Sequence, residues 1–301
     1  IFDLGTAADK DITVNVADWA DVTTTQGGAI DNNLVILDTG NLQGTTMGAE
    51  YDLITLSGDG TVTVDDTFIG SDVSLIYGDN AGAADTLAII MQDQALNMGG
   101  ITVGGTNVDA NITITGTSGN DIITAVDDKE AGSSFTITTG AGNDVIRLEL
   151  NSGNHDAQDG TKPFVVLADA VSITDFDATK DQIAIAAADL AHDGGTEVAR
   201  AQAAGAVNAN ISPVTFVTGA TLNDFTSTAG FLSAVGTISN ATNHDTTTLA
   251  IANTAGDQVG IYNVHDTDTT SGYTDTADAL ALVAVVDVTN GTFSIDNLTV
   301  Y

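Results

Sequence analysis

The chain of 301 residues contains no cysteine, so disulfides, thiolate metal sites and a cysteine nucleophile are excluded. Stability outside a cell would then have to come from core packing and bound ions. Proline occurs only at Pro163 and Pro213, which leaves long stretches free to pair as strands. Basic residues number six against 41 acidic ones, for a formal net charge of −35. A surface this acidic is repelled by nucleic-acid phosphates and by anionic membranes, so neither is an expected partner, and compaction calls for cations that neutralise part of the charge. Glutamate is nearly missing as well: Glu50, Glu130, Glu149 and Glu197 are the only ones, and aspartate supplies the rest. The short Asp side chain suits turns and turn-borne metal ligation. Adaptation to high salt is the competing reading of the same bias. Aromatic residues make up 5%, with a single tryptophan, Trp19, which counts against a sugar-stacking platform. No apolar run approaches the ~20 residues of a bilayer span, so membrane insertion is not expected. The chain begins at Ile1 without an initiator methionine, which we read as a processed product or part of a longer one.

What is present is a β-forming chain. A hydrophobic content of 43% argues against disorder, and the length suffices for a large core in one or two domains. Apolar residues alternate with Thr, Asn or Asp over Ile12 to Val16, Thr61 to Asp65 and Asn111 to Thr115, the pattern of half-buried strands. Shorter apolar runs at Leu34 to Leu37, Leu53 to Leu56, Val73 to Tyr77 and Leu87 to Met91 read as strands buried on both faces or as solenoid rungs. The expected fold class is mainly β, a β-sandwich or short β-solenoid with a few short helices. Helix is expected over Ile183 to Leu190, Glu197 to Ala204 and Leu222 to Val235, the last capped by Asn223 or Thr221. A boundary is placed near Gly160, dividing a β-rich region, 1–160, from a mixed region, 161–301.

Two turns carry the chemistry. Gly116-Thr117-Ser118-Gly119-Asn120-Asp121-Ile122 and Gly140-Ala141-Gly142-Asn143-Asp144-Val145 each follow the calcium nonapeptide G-G-x-G-x-D-x-U-x. Glycines there adopt backbone angles closed to other residues and bring carbonyl oxygens inward, the aspartate adds a carboxylate, and the apolar residue after it starts a strand. The candidate ligands are therefore Gly116, Ser118, Gly119 and Asp121 in one turn and Gly140, Gly142 and Asp144 in the other, and the expected cofactor is Ca2+. Thr117 and Thr139 occupy positions where the pattern has glycine. A weaker third turn runs from Gly78 to Leu87, with Asp79 and Asp85 as candidates and Ala83 replacing its central glycine. The segment Asp127 to Gly132 reads as an inserted turn between two strands. Gly, Asn and Asp also build tight turns with no metal at all, and that is the competing explanation.

The segment Val171-Ser172-Ile173-Thr174-Asp175-Phe176-Asp177-Ala178-Thr179-Lys180-Asp181-Gln182-Ile183 resembles the I-x-D-F-x-x-x-x-D-x-I signature that follows calcium repeats in RTX (repeats-in-toxin) and bacterial S-layer proteins. The stretches Gln258 to Tyr262, Leu280 to Val286 and Phe293 to Leu298 are similar to the closing strands of such proteins. The resemblance covers roughly residues 112 to 301. It adds Asp175 and Asp181 to the candidate ligands and implies export, folding on meeting extracellular calcium, and a place at the cell surface. Two or three calcium turns instead of a long array depart from the family and disfavour a regular β-roll.

Catalytic patterns are scarce. His155, His192, His244 and His265 are scattered, with no H-E-x-x-H pair and no G-x-S-x-G elbow. The expected function is a non-enzymatic, secreted, calcium-binding structural protein whose copies assemble into a filament or surface lattice, with cell-surface polysaccharide as a second partner. A calcium-dependent adhesin or carbohydrate-binding module is the alternative, and a secreted hydrolase built on paired carboxylates such as Asp65-Asp66 is the weaker one.

Overall fold

A computed structural model describes residues 2–3, 10–14, 24–25, 32–36, 39–45, 52–57, 60–69, 73–79, 85–104, 109–125, 128–129, 132–148, 165–166, 170–186, 199–204, 207–208, 214–236, 238–239, 246–265 and 279–301. The fold is mainly β, and of the two expected architectures it is the solenoid. The chain coils through three parallel sheets, alternating between the first and second at the start and adding a strand of the third from Ala95 onward. The first face holds Lys10–Val14, Asn32–Ile36, Leu53–Leu56, Leu75–Gly78, Thr102–Val103 and Asp128–Lys129. The second holds Gly40–Asn41, Thr61–Asp65, Asp85–Ile90, Ala110–Thr115, Ser134–Thr138 and Val171–Asp177. The third holds Ala95–Asn97, Ile122–Thr124, Val145–Leu148, Gln182–Ile185 and Leu298–Val300.

The alternation in the sequence produces this directly, because a period of two sends every second side chain inward. Register then stacks like on like. Val64 pairs with Ile89, Ile89 with Ile114, Ile114 with Ile137 and Ile137 with Ile173, and all five are buried. Leu34, Ile54 and Ile76 form a matching column on the first face. Burying each such aliphatic contributes about 1.5–3 kcal/mol relative to leaving it exposed. β-branched side chains suit the site because their stiff χ1 loses little freedom in a stacked column.

The far end of the second face is built differently. Ala279–Asn290 pairs in parallel with Val171–Asp177 and starts an antiparallel meander with Gln258–His265 and Thr246–Ala252, to which Val214–Thr218 and Arg200–Ala203 add in parallel. Alternation splits this sheet between two cores. Ala250, Val259, Ile261 and Ala284 join the solenoid core, whereas Leu249, Ile251, Tyr262 and Leu282 face a second cluster with the helix Thr228–Val235. Tyr262 anchors that cluster: its hydroxyl donates to Phe225 O at 2.9 Å and its ring lies 4.8 Å from that of Phe231. Phe293 packs between Phe176 and Phe216 at 5.5 and 5.9 Å. The meander thus covers the last rung, as the terminal units of repeat proteins do.

Several expected elements differ. Ile183 to Leu190 is strand at Gln182–Ile185, a rung of the third face, with 187–190 outside the described residues. Glu197 to Ala204 contains the outer strand Arg200–Ala203 instead of a helix. The helix within Leu222 to Val235 begins only at Thr228, because Asp224 Oδ1 takes the Thr226 N–H in a local turn and Ser227 Oγ accepts from Gly230 N as the N-cap. Asp128–Lys129 is a first-face strand and not part of an inserted turn. Gly160 lies outside the described residues, and the second and third sheets both continue beyond it. Among the described residues no helix is long and apolar enough to cross a membrane.

Candidate metal centre

Each passage from the second face to the third requires a corner. Register pairs Ile122 with Val145 and Val145 with Gln182, so the residues before them, Asp121, Asp144 and Asp181, stack on one another at that corner. All three are buried, at 0%, 1% and 2% exposure. The backbone runs through the row, with Val145 N donating to Asp121 O and Gln182 N to Asp144 O, both at 2.8 Å. The carboxylates form a parallel ladder. Asp121 N donates to Asp144 Oδ1 at 2.8 Å across 23 residues, and Asp144 N to Asp181 Oδ1 at 3.0 Å across 37. Asp181 Oδ2 in turn accepts from Asp177 N at 2.8 Å.

The departures from the glycine pattern have a use. Thr117 donates through its N–H to Asp121 Oδ2 and through its hydroxyl to Oδ1, at 2.6 and 2.8 Å. Thr139 gives both its N–H and hydroxyl to Asp175 Oδ1, and Gly140 N donates to Oδ2. Glycine is required where the two turns touch. Gly142 has φ +143, and a Cβ on it would lie 2.1 Å from Gly119 O; a Cβ on Gly140, at φ +92, would lie 2.2 Å from Thr117 O. Gly116 is held the same way against Thr139 O. Ser118 is exposed at the tip of its turn.

The row ends on a neutral group that sequence reasoning missed. Asn297, 4% exposed, donates its amide to Ala178 O and Asp181 O at 2.8 and 2.9 Å and accepts from Ser294 N. Its only sequence signal is the Ser294-Ile295-Asp296-Asn297 capping box.

Charge is the unresolved part of the corner. Rungs about 4.8 Å apart bring unit charges to a separation at which, with an effective dielectric of ~20, repulsion is on the order of 3 kcal/mol per neighbouring pair. Burial pushes the Asp144 carboxyl up to about 6, and the charges of Asp181, Asp121 and Asp175 add to the rise against the hydrogen bond from Asp121. Burial also raises Asp181. Asp177, nearby and hydrogen-bonded by the Thr179 hydroxyl and the Asn290 amide, is held well below the ordinary carboxylate range. Asp144 Oδ2 is buried and has no hydrogen-bond partner among the described residues.

Among the described residues no group of three or more acidic or histidine side chains is arranged to hold a metal ion. The corner nonetheless fits calcium in donor type, because the orphaned Asp144 Oδ2 and the carbonyl oxygens of Thr117 and Gly119 beside Gly140 and Gly142 are hard oxygen donors. The oxygens of Asp121, Asp175 and Asp181 would join only by releasing the N–H groups they hold. The structure therefore gathers Gly116, Gly119, Asp121, Gly140, Gly142, Asp144, Asp175 and Asp181 at one corner. Asp79 and Asp85 lie elsewhere, between the first and second faces, where Asp79 N donates to Asp85 Oδ2 and Ser57 Oγ to Asp79 Oδ2. His155, His192 and His244 fall outside the described residues. Comparison with protein-family models, curated proteins and solved structures found no match.

Proposed function

We propose that this chain is a secreted, non-enzymatic structural protein that takes up calcium at the Asp121–Asp144–Asp181 corner and assembles with copies of itself at the cell surface. The observation that carries the reading is the buried Asp144 Oδ2, an acceptor with no donor among the described residues, inside a row of like charges. A divalent cation would supply the missing partner and offset the repulsion, so that ion binding and closure of the rungs are one equilibrium.

Assembly is supported by the solenoid's construction. Among the described residues, Lys10–Val14 and Leu298–Val300 are the outermost strands of the first and third sheets, each paired on one side in those sheets. An outer strand is a template for a neighbour's strand, and head-to-tail contacts between such ends propagate without closing. The net charge of −35 supports cations as bridges between copies. Electron microscopy of the purified chain in millimolar calcium and after chelation tests the reading. Ordered filaments or sheets that dissolve on chelation are expected, and dispersed particles in both conditions would remove assembly from the function.

A further inference from the structure

The second face carries a feature unrelated to the acidic corner. Its central outward column runs Thr63, Ala88, Thr113, Thr136 and Ser172, in continuous register. Two residues toward the C-terminal ends of the strands the column runs Asp65, Ile90, Thr115 and Thr138, and the Thr138 and Thr174 hydroxyls lie 3.0 Å apart. Two residues the other way stand Thr61, Thr86, Asn111 and Ser134, with Ser134 Oγ donating to Asn111 Oδ1. No register shift interrupts the pairings from Thr61 to Ser172, and every residue in these three columns except Asp65 is exposed or partly so.

Charge avoids this face in a chain that is 16% charged. Among the outward positions of its strands from Thr61 to Thr174 only Asp65 is ionisable, and it is 5% exposed, with Gly44 N and the Thr67 hydroxyl on its carboxylate. Solubility alone would favour charge there. Outward positions of the other two faces are mixed, with Val35, Leu53, Leu75 and Tyr77 on the first and Ile122, Val145 and Arg147 on the third.

We infer that the threonine face of the second sheet is a binding surface for crystalline water, the face of an ice lattice. Parallel strands set hydroxyl–methyl pairs about 4.8 Å apart across rungs and about 6.6 Å apart along each strand. Those two repeats are close to the oxygen spacings on a prism face of hexagonal ice. Threonine suits the task for a physical reason. Its β-branched side chain is held to few χ1 rotamers, so the array is ordered before contact and loses little entropy on binding. Its methyl fills the hollows of the lattice while the hydroxyl takes a lattice hydrogen bond. A charged side chain would bind disordered water instead, and the one ionisable residue of the array, Asp65, is buried. Crystalline polysaccharide presents a similar flat repeat but is gripped by aromatic faces, and no aromatic residue stands among the outward positions of these strands.

The full chain in calcium-containing buffer is compared with an inert protein of similar size for ice-crystal shaping, recrystallisation inhibition and partition into a slowly grown ice front. The double variant Thr113→Tyr/Thr136→Tyr fills the central column with residues that favour strands, and Thr86→Lys adds one charge beside it, so the comparison survives if either fails to fold. Native protein is expected to shape ice and to partition into it, and a variant with an unchanged circular dichroism spectrum and melting temperature is expected to lose at least tenfold in the concentration needed to block recrystallisation. Native protein no more active than the control, or folded variants as active as the native chain, would overturn the inference. Retention on crystalline chitin or cellulose without an effect on ice would overturn it as well. None of these outcomes depends on whether copies assemble.

Discussion

Asp144 accepts the backbone N–H of Asp121 through Oδ1 at 2.8 Å, while its Oδ2 is buried without a partner among the described residues. One half of the carboxylate ties two rungs of the solenoid together and the other half is held in reserve. Replacing Asp144 by Asn keeps the acceptor and removes the charge. In chelator, Asp144→Asn is expected to raise the melting temperature by several degrees, at roughly 2–4 °C for each 1 kcal/mol of relieved repulsion, read by differential scanning calorimetry. A lower melting temperature for the variant would show that the charge itself holds the corner.

The pH dependence follows from the same group. The folded state holds the Asp144 proton up to about 6, whereas the unfolded chain releases it near 3.8. The folded state therefore binds more protons between those values, and stability in chelator should fall as pH rises from about 4 to about 6, with Asp181 acting in the same sense. Asp177 and Asp65 work oppositely: their lowered values contribute stability that is lost as pH drops below the unfolded carboxylate range. Urea unfolding at several pH values, with and without calcium, checks this, and a stability in chelator that rises steadily from pH 4 to 6 would contradict it.

The contact between turns makes a steric prediction. Gly142→Ala places a Cβ 2.1 Å from Gly119 O at φ +143, whereas Gly256→Ala, at φ +77, meets nothing within 4 Å. The first is expected to cost about 3 kcal/mol or more and the second about 1 kcal/mol, the conformational strain alone, in equilibrium unfolding. Equal costs would mean that the two turns do not touch.

Asn297 closes the row from 116 residues away in sequence. Asn297→Ala leaves Asp181 O and Ser294 N without their side-chain partner and is expected to destabilise by about 2–4 kcal/mol. Hydrogen exchange should show faster opening at Gln182–Ile185 and Leu298–Val300, the two strands it joins. Unchanged protection there would remove Asn297 as the terminal clasp.

Much of the solenoid could be read from alternation, because Thr61–Asp65 and Ala110–Thr115 show the period-two pattern that their burial reproduces. The repeat itself was hidden. Lys10 pairs with Asn32, Leu53 with Leu75, but Leu75 with Thr102, so rungs differ in length and no fixed period marks them. The helix expected over Ile183 to Leu190 is strand at Gln182–Ile185, since a short apolar run buried on nearly every side looks alike in either state. Arg200–Ala203 is an exposed outer strand without alternation, and its alanines mimic a helix. Asp121 and Asp144 are legible through their glycines, and Asp181 only through the resemblance carried by residues 171–183. Their hydrogen-bond ladder is not legible, because it depends on register between rungs and on Asn297, which no local pattern connects to them.

Calcium titration by isothermal calorimetry, on the native chain and on Asp144→Asn, tests the central claim most directly. The account predicts saturable binding by the native chain, with a calcium-dependent rise in melting temperature, and loss of both in the variant. Equal binding by the two proteins, or none by the native chain, would contradict it.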